Sequence, residues 1–223
     1  MMRNVIPFPA LAVLFATVVA AAQSASPKEE NVRGDIVAVS GDSMKLKTRA
    51  GQEVTLALAP TLRVSEAQKT TLDSIGEGLF VGTTAVPQPD GTLRAIEVHV
   101  FPESMRGTGE GHRPWDLQPE SSMTNATVAK IEPQGTGGSP PTKTNATVAE
   151  VSKSSGGRRL QLKYPGGEKT VDVPASTPVV KLEPSERSKL KAGEHVFVVA
   201  ARQPDGSLVA QRMIVGEKVV PPM

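Results

Sequence analysis

The sequence has no cysteine. That excludes disulfide scaffolds, Cys-ligated zinc, iron–sulfur clusters and thiol nucleophiles. Aromatics are nearly as scarce: five Phe, one Tyr and one Trp in 223 residues. Phe8 and Phe15 fall in an N-terminal stretch read below as a signal, which leaves Phe80, Phe101, Trp115, Tyr164 and Phe197. Aromatic side chains usually dominate burial, so this supply predicts small aliphatic cores rather than one large one. Neither sign of charge is in excess. Lys+Arg 25 against Asp+Glu 23 gives +2, which excludes a general polyanion binder. Three His leave few bases for a nucleophilic triad. After residue 22 no run is apolar enough to span a bilayer.

The N-terminus carries an address. Arg3 supplies a positive start, Val5 to Ala22 is apolar apart from Pro7 and Pro9, and Ala20-Ala21-Ala22 offers small residues for cleavage. Residues 1–22 therefore read as a signal peptide, with cleavage after Ala25 as the near alternative. The expected product is exported, periplasmic or secreted, with no transmembrane segment once the signal is removed. An uncleaved membrane anchor is the competing reading.

The rest of the chain repeats itself. Gln88-Pro89-Asp90-Gly91 recurs 115 positions later as Gln203-Pro204-Asp205-Gly206. Leu79-Phe80-Val81 before the first matches Val196-Phe197-Val198 before the second, and Leu93 and Ala95 match Leu208 and Ala210. Each copy is rich in period-2 alternation, as in Met44-Lys45-Leu46-Lys47 and Val54, Leu56, Leu58. Pro-Asp-Gly is a tight-turn sequence that joins the last two strands of each copy. Short helices are expected over Ser65 to Ile75 and Glu183 to Leu190. The predicted fold is all-β: two tandem small OB-like β-barrels with one short helix each, over residues 31–103 and 144–218. Phe80 and Phe197 are expected as the principal aromatics of the two barrels. A small open β-sandwich is the alternative.

The span Phe101 to Leu117, with Ser122-Met-Thr-Asn-Ala-Thr-Val128, resembles a family of uncharacterised exported proteins of alphaproteobacteria. Their repeats are similar to a bacterial domain of unknown function with an OB-like barrel. The resemblance implies that fold over nearly the whole mature chain, and no established activity. Some relatives carry a metal-transporter permease label, which a chain without membrane spans does not fit.

Residues 104–143 form a Gly/Pro-rich linker between the copies, long for an ordinary connection. Within it Thr124-Asn-Ala-Thr-Val-Ala129 recurs as Thr144-Asn-Ala-Thr-Val-Ala149. Only one of these can be the first strand of the second barrel. Residues 144–151 are expected to win, because they lie nearest the next strand and short loops close cheaply.

The linker also holds the leading candidate site: Arg106, Glu110, His112, Arg113, Trp115 and Asp116 in a Gly-rich stretch. As a binding loop, its glycines admit a ligand while Arg and Trp supply hydrogen bonds and stacking. As a plug, Trp115 and Pro114 would fill the interface between domains. Glu97 and His99 alternate on one strand face and, with His112, make a weak candidate set for a divalent metal. Basic rows on the second strand of each copy are Lys45, Lys47 and Arg49, then Arg159 and Lys163. Such rows suit an anionic glycan or a lipid head group, or are simply solvated faces. Nucleic acid is not expected, because these faces lack aromatics for stacking.

No phosphate loop, Gly-x-Ser-x-Gly elbow or assignable carboxylate pair is present. The reading is a non-enzymatic periplasmic binding or scaffold protein without a resident cofactor, its partner an unidentified protein or anionic glycan. The alternatives are a divalent-metal binder and a weak hydrolase using linker carboxylates.

Overall fold

The computed structural model describes residues 28–133 and 156–216; the N-terminal stretch read as a signal and the second hexapeptide copy lie outside them. Nearly all of the described chain is strand. β1 (Glu29–Ser40), β2 (Ser43–Thr48) and β3 (Glu53–Thr70) form an antiparallel meander. Alternation sets the faces: Met44 and Leu46 of β2 are buried, and Lys45 and Lys47 are exposed. Gly34 marks the tightest crossing, since a Cβ there would sit on the Lys47 carbonyl of β2.

Two hairpins carry the repeated turn. β4 (Phe80–Pro87) and β5 (Leu93–Val100) flank the first, β11 (His195–Arg202) and β12 (Leu208–Gly216) the second. Asp90 accepts hydrogen bonds from the Thr92 amide and hydroxyl at 3.0 and 2.7 Å; Asp205 does the same for Ser207 at 2.9 and 2.7 Å. Gly91 and Gly206 have φ of 82° and 85°, which a side chain would oppose. The remaining strands are β6 (Gly111–Pro114), β7 (Ser122–Pro133), β8 (Arg158–Tyr164), β9 (Gly167–Val173) and β10 (Val179–Ser185).

The strands do not close within their own half of the sequence. β1, β2 and β3 are completed by β12, parallel to β3, and by β11, antiparallel to β1. These five strands form a closed barrel around Ile36, Met44, Leu46, Leu56, Val198 and Met213. A second ring of pairings joins β7, β8 and β9 to β4 and β5, around Val81, Val98, Ala126, Leu160, Leu162 and Val171. Residues 31–103 and the later half thus exchange their last two strands, where separate tandem barrels were expected.

The exchange runs through a crossed ribbon. The end of β3 pairs antiparallel with β10, from Val64 opposite Ser185 to Thr70 opposite Val179, with Ala67 opposite Leu182 at the centre. Only the central pair joins residues 115 positions apart; the pairs at the two ends are 121 and 109 apart. The helix expected over Ser65 to Ile75 is therefore absent. Residues to Thr70 continue β3, and only Leu72–Ser74 makes a 3-10 turn. The same holds for Glu183 to Leu190, where β10 ends at Ser185 and Arg187–Lys189 is a 3-10 turn. Weak helix propensity loses to a full ladder of cross-strand hydrogen bonds and buried faces.

A third apolar cluster lies between the barrels: Ala67, Phe80, Phe101, Met123, Val180, Leu182, Phe197, Val199 and Ile214. Phe80 and Phe197 belong here, not inside the two barrels as expected. The neighbours that point inward are Val81, Val196 and Val198. Parity therefore sends both Phe outward, into the seam.

The Thr124–Ala129 copy fills the disputed slot. It lies in β7, pairing with β4 on one edge and with β6 and β8 on the other. The expected winner, 144–151, lies outside the described residues. Loop-closure cost grows only logarithmically with length, so it does not outweigh β7's pairing with β4 along Ser122–Thr127. No helix among the described residues is long and apolar enough to cross a membrane.

Candidate ligand cleft between the barrels

The outer face of the first barrel presents two cross-strand rows. Asn31, Val199, Arg212 and Arg63 stand side by side in register across β1, β11, β12 and β3. Arg33, Phe197, Ile214 and Ser65 form the next row. Facing them are the chain after β5 and the end of β10. Between the two lies a cleft of about 880 Å³, within the range of small-molecule sites. Its apolar lining includes Phe101, Met105, Trp115, Leu182, Phe197 and Ile214.

The linker motif forms one wall, and three of its six candidates reach the cleft: Glu110, Arg113 and Trp115. Arg113 donates to the Gly109 carbonyl at 2.7 Å and lies 5.3 Å from the Trp115 ring centroid. Burial, then the charge of Arg212, pushes the Arg113 pKa down, while Glu29 opposes the shift. The Trp115 ring also meets Phe197 at 6.1 Å and Arg33 at 6.0 Å. Its indole Nε1 is buried and has no hydrogen-bond partner. Trp115 is only partly buried beside the third cluster, so it is both a strut between the barrels and a wall of the cleft.

The other three candidates brace the strap. Asp116 accepts a fork from Arg33 at 2.7 and 3.1 Å and a bond from Asn31 at 3.1 Å. Burial raises its pKa, but these hydrogen bonds prevail and hold the carboxyl below its usual range. Arg106 bonds Glu103, the Gly78 carbonyl at 2.9 Å and Thr127 at 3.1 Å. His112 Nδ1 lies 2.8 Å from the Thr124 hydroxyl, and burial followed by Lys169 and Arg113 lowers its pKa.

The metal candidates do not assemble. Glu97 and His99 meet at 3.3 Å with Thr84 donating to Glu97 at 2.9 Å, all buried. His112 is engaged with Thr124 instead. Among the described residues no group of three or more His, Asp or Glu side chains could hold a metal ion. The His99 Nδ1 and the Asn125 Oδ1 are buried without partners, 2.8 and 2.7 Å from where a Gly82 Cβ would stand. Glycine is what leaves room for both.

The basic rows are countered locally. Lys45 pairs with Glu53 at 3.1 Å, and Lys47 faces Glu53 across β2 and β3. Arg159 forks onto Asp172 at 2.6 and 2.9 Å, and Lys163 stands opposite Glu168. Arg49 is exposed. The residues that sequence reasoning missed are Arg63, Phe197, Val199, Arg212 and Ile214. Their outward parity was visible, but not that another surface covers them. Comparison with family models, with curated proteins and with solved structures returns no match.

Proposed function

We propose that this is an exported, non-enzymatic binding protein whose ligand seat is the cleft between the barrels. The observation that carries it is the cleft itself, walled by Trp115, Phe197 and Phe101 in a chain with only seven aromatics. A protein so poor in aromatics that gathers three of them around one open space has concentrated its means of apolar recognition there. The signal-like N-terminus supports export, with cleavage after Ala22. The two rings fit OB-like barrels that have exchanged their last two strands, because each runs three antiparallel strands and closes with a parallel last strand. On this reading the repeats are scaffold and the linker motif completes the site.

Nile red, an uncharged apolar dye, tests the reading. Its fluorescence is expected to rise saturably on addition of the folded protein. Val199→Trp, which fills the cleft, should abolish the rise while leaving a cooperative thermal transition. No rise with the wild-type protein would overturn the reading. N-terminal sequencing of the mature chain checks the cleavage site.

A further inference from the structure

The charges of the cleft are not balanced across it. Arg63 and Arg212 are direct cross-strand neighbours on β3 and β12. Like charges in that position repel. Arg212 has Glu29 at 3.3 Å. Glu110, on the opposite wall, makes no ion pair with Arg63, Arg113 or Arg212 among the described residues. That leaves Arg63 and Arg113 with no carboxylate in ion-pair range among the described residues. Arg113 is half-buried, and among the described residues its only hydrogen-bond acceptor is the Gly109 carbonyl. Arg63 is exposed, and a guanidinium partly withdrawn from water without a carboxylate favours an arriving anion.

The three guanidiniums stand beside an apolar surface. Val199 adjoins Arg212 in register, and Ile214 and Phe197 lie in the next row. Leu182 and Phe101 continue the apolar lining. From this juxtaposition we infer that the cleft takes a single-headed anionic amphiphile. Its carboxylate or phosphate head would lie among Arg63, Arg113 and Arg212, and its apolar body along Phe197, Ile214 and Trp115. The inference rests on the reading of the cleft as a ligand seat and adds the chemistry of the ligand. Fork-shaped guanidiniums suit either head group, because both offer two oxygens to parallel N–H donors.

The test uses four twelve-carbon probes below their micelle concentrations: dodecanoate, dodecyl phosphate, 1-dodecanol and dodecyltrimethylammonium. Trp115, the chain's only tryptophan, reports occupancy by its emission. The anions are expected to change that emission saturably and to displace Nile red at least tenfold more tightly than dodecanol, with the cation weakest. Their order relative to each other separates carboxylate from phosphate. Arg212→Gln and Arg63→Gln should each weaken the anions about tenfold and leave dodecanol unchanged, with melting curves confirming that both variants fold. Dodecanol binding as tightly as dodecanoate would sink the anionic head while sparing the ligand seat. No displacement by any probe, together with no Nile red signal, would sink both.

Discussion

Phe80 and Phe197 occupy matching places ahead of their Pro-Asp-Gly turns, and both leave the barrels to pack in one shared core. The seam is therefore as much a core as either interior. Phe197→Ala is expected to cost about 3–5 kcal/mol, the usual range for an aromatic truncated in a core. Urea unfolding should remain a single transition, coincident by far-UV circular dichroism and by Trp115 emission. Two separated transitions would show that the barrels melt independently.

Strand exchange makes a stronger demand. Residues 28–103 contain three strands of one ring and two of the other, so neither ring can close from that fragment. Fragments 28–103 and 104–216 should each lack a cooperative transition alone and regain one when mixed. A folded, monomeric 28–103 would contradict the exchanged pairing.

The Arg33–Asp116 fork fastens the linker to the first barrel. Asp116 is half-exposed, so Asp116→Asn should cost only about 1 kcal/mol at neutral pH. The folded-state pKa of Asp116 is depressed below 3.8. Its contribution is therefore complete above that ordinary value and is lost as pH falls through the lower folded one. Stability curves of wild type and variant should converge in strong acid; a constant gap at all pH values would assign the loss to packing instead.

His112 carries the same sign at milder pH. Its folded-state pKa is lowered from 6.5, so the unfolded chain takes up the proton first. Stability should be level above that value and decline as pH falls below it, until the folded state also protonates. His112→Gln should flatten that part of the profile, measured as urea midpoint between pH 7.5 and 5. An unchanged slope would mean that His112 titrates alike in both states.

Gly34 sits where β1 crosses the Lys47 carbonyl. Backbone atoms cannot swing aside as a side chain can. Gly34→Ala should therefore destabilise by about 1–3 kcal/mol, as overpacking does. A melting temperature within a degree of wild type would refute the close approach.

Much of this architecture was legible in sequence. Alternation at Met44–Lys47 placed β2 and its buried face, and the two Pro-Asp-Gly turns placed both hairpins. Alternation states which face a residue takes, not which strand it pairs with, so the exchange was invisible. The stretch from Ser65 to Thr70 misled for the same reason. Its pairing partner lies more than a hundred residues away in β10, and local propensity carries no trace of it. The two Thr-Asn-Ala-Thr-Val-Ala copies are identical, so only tertiary pairing could choose between them. The cleft was half visible: Glu110, Arg113 and Trp115 stood out by composition, whereas Arg63 and Arg212 looked like ordinary surface charge until the barrels were set together.

The exchanged hairpins also impose an order in time. Of the described strands β1, β2 and β3 leave the ribosome before the others, yet β12 is the strand that joins β3 to β11 and closes their ring. The barrel that begins the chain is the last to be completed. Until residues 208–216 arrive, the apolar faces of Ile36, Leu46 and Leu56 have no permanent cover. A nascent chain therefore carries an open sheet edge for nearly its whole synthesis, the condition under which chaperones are most needed.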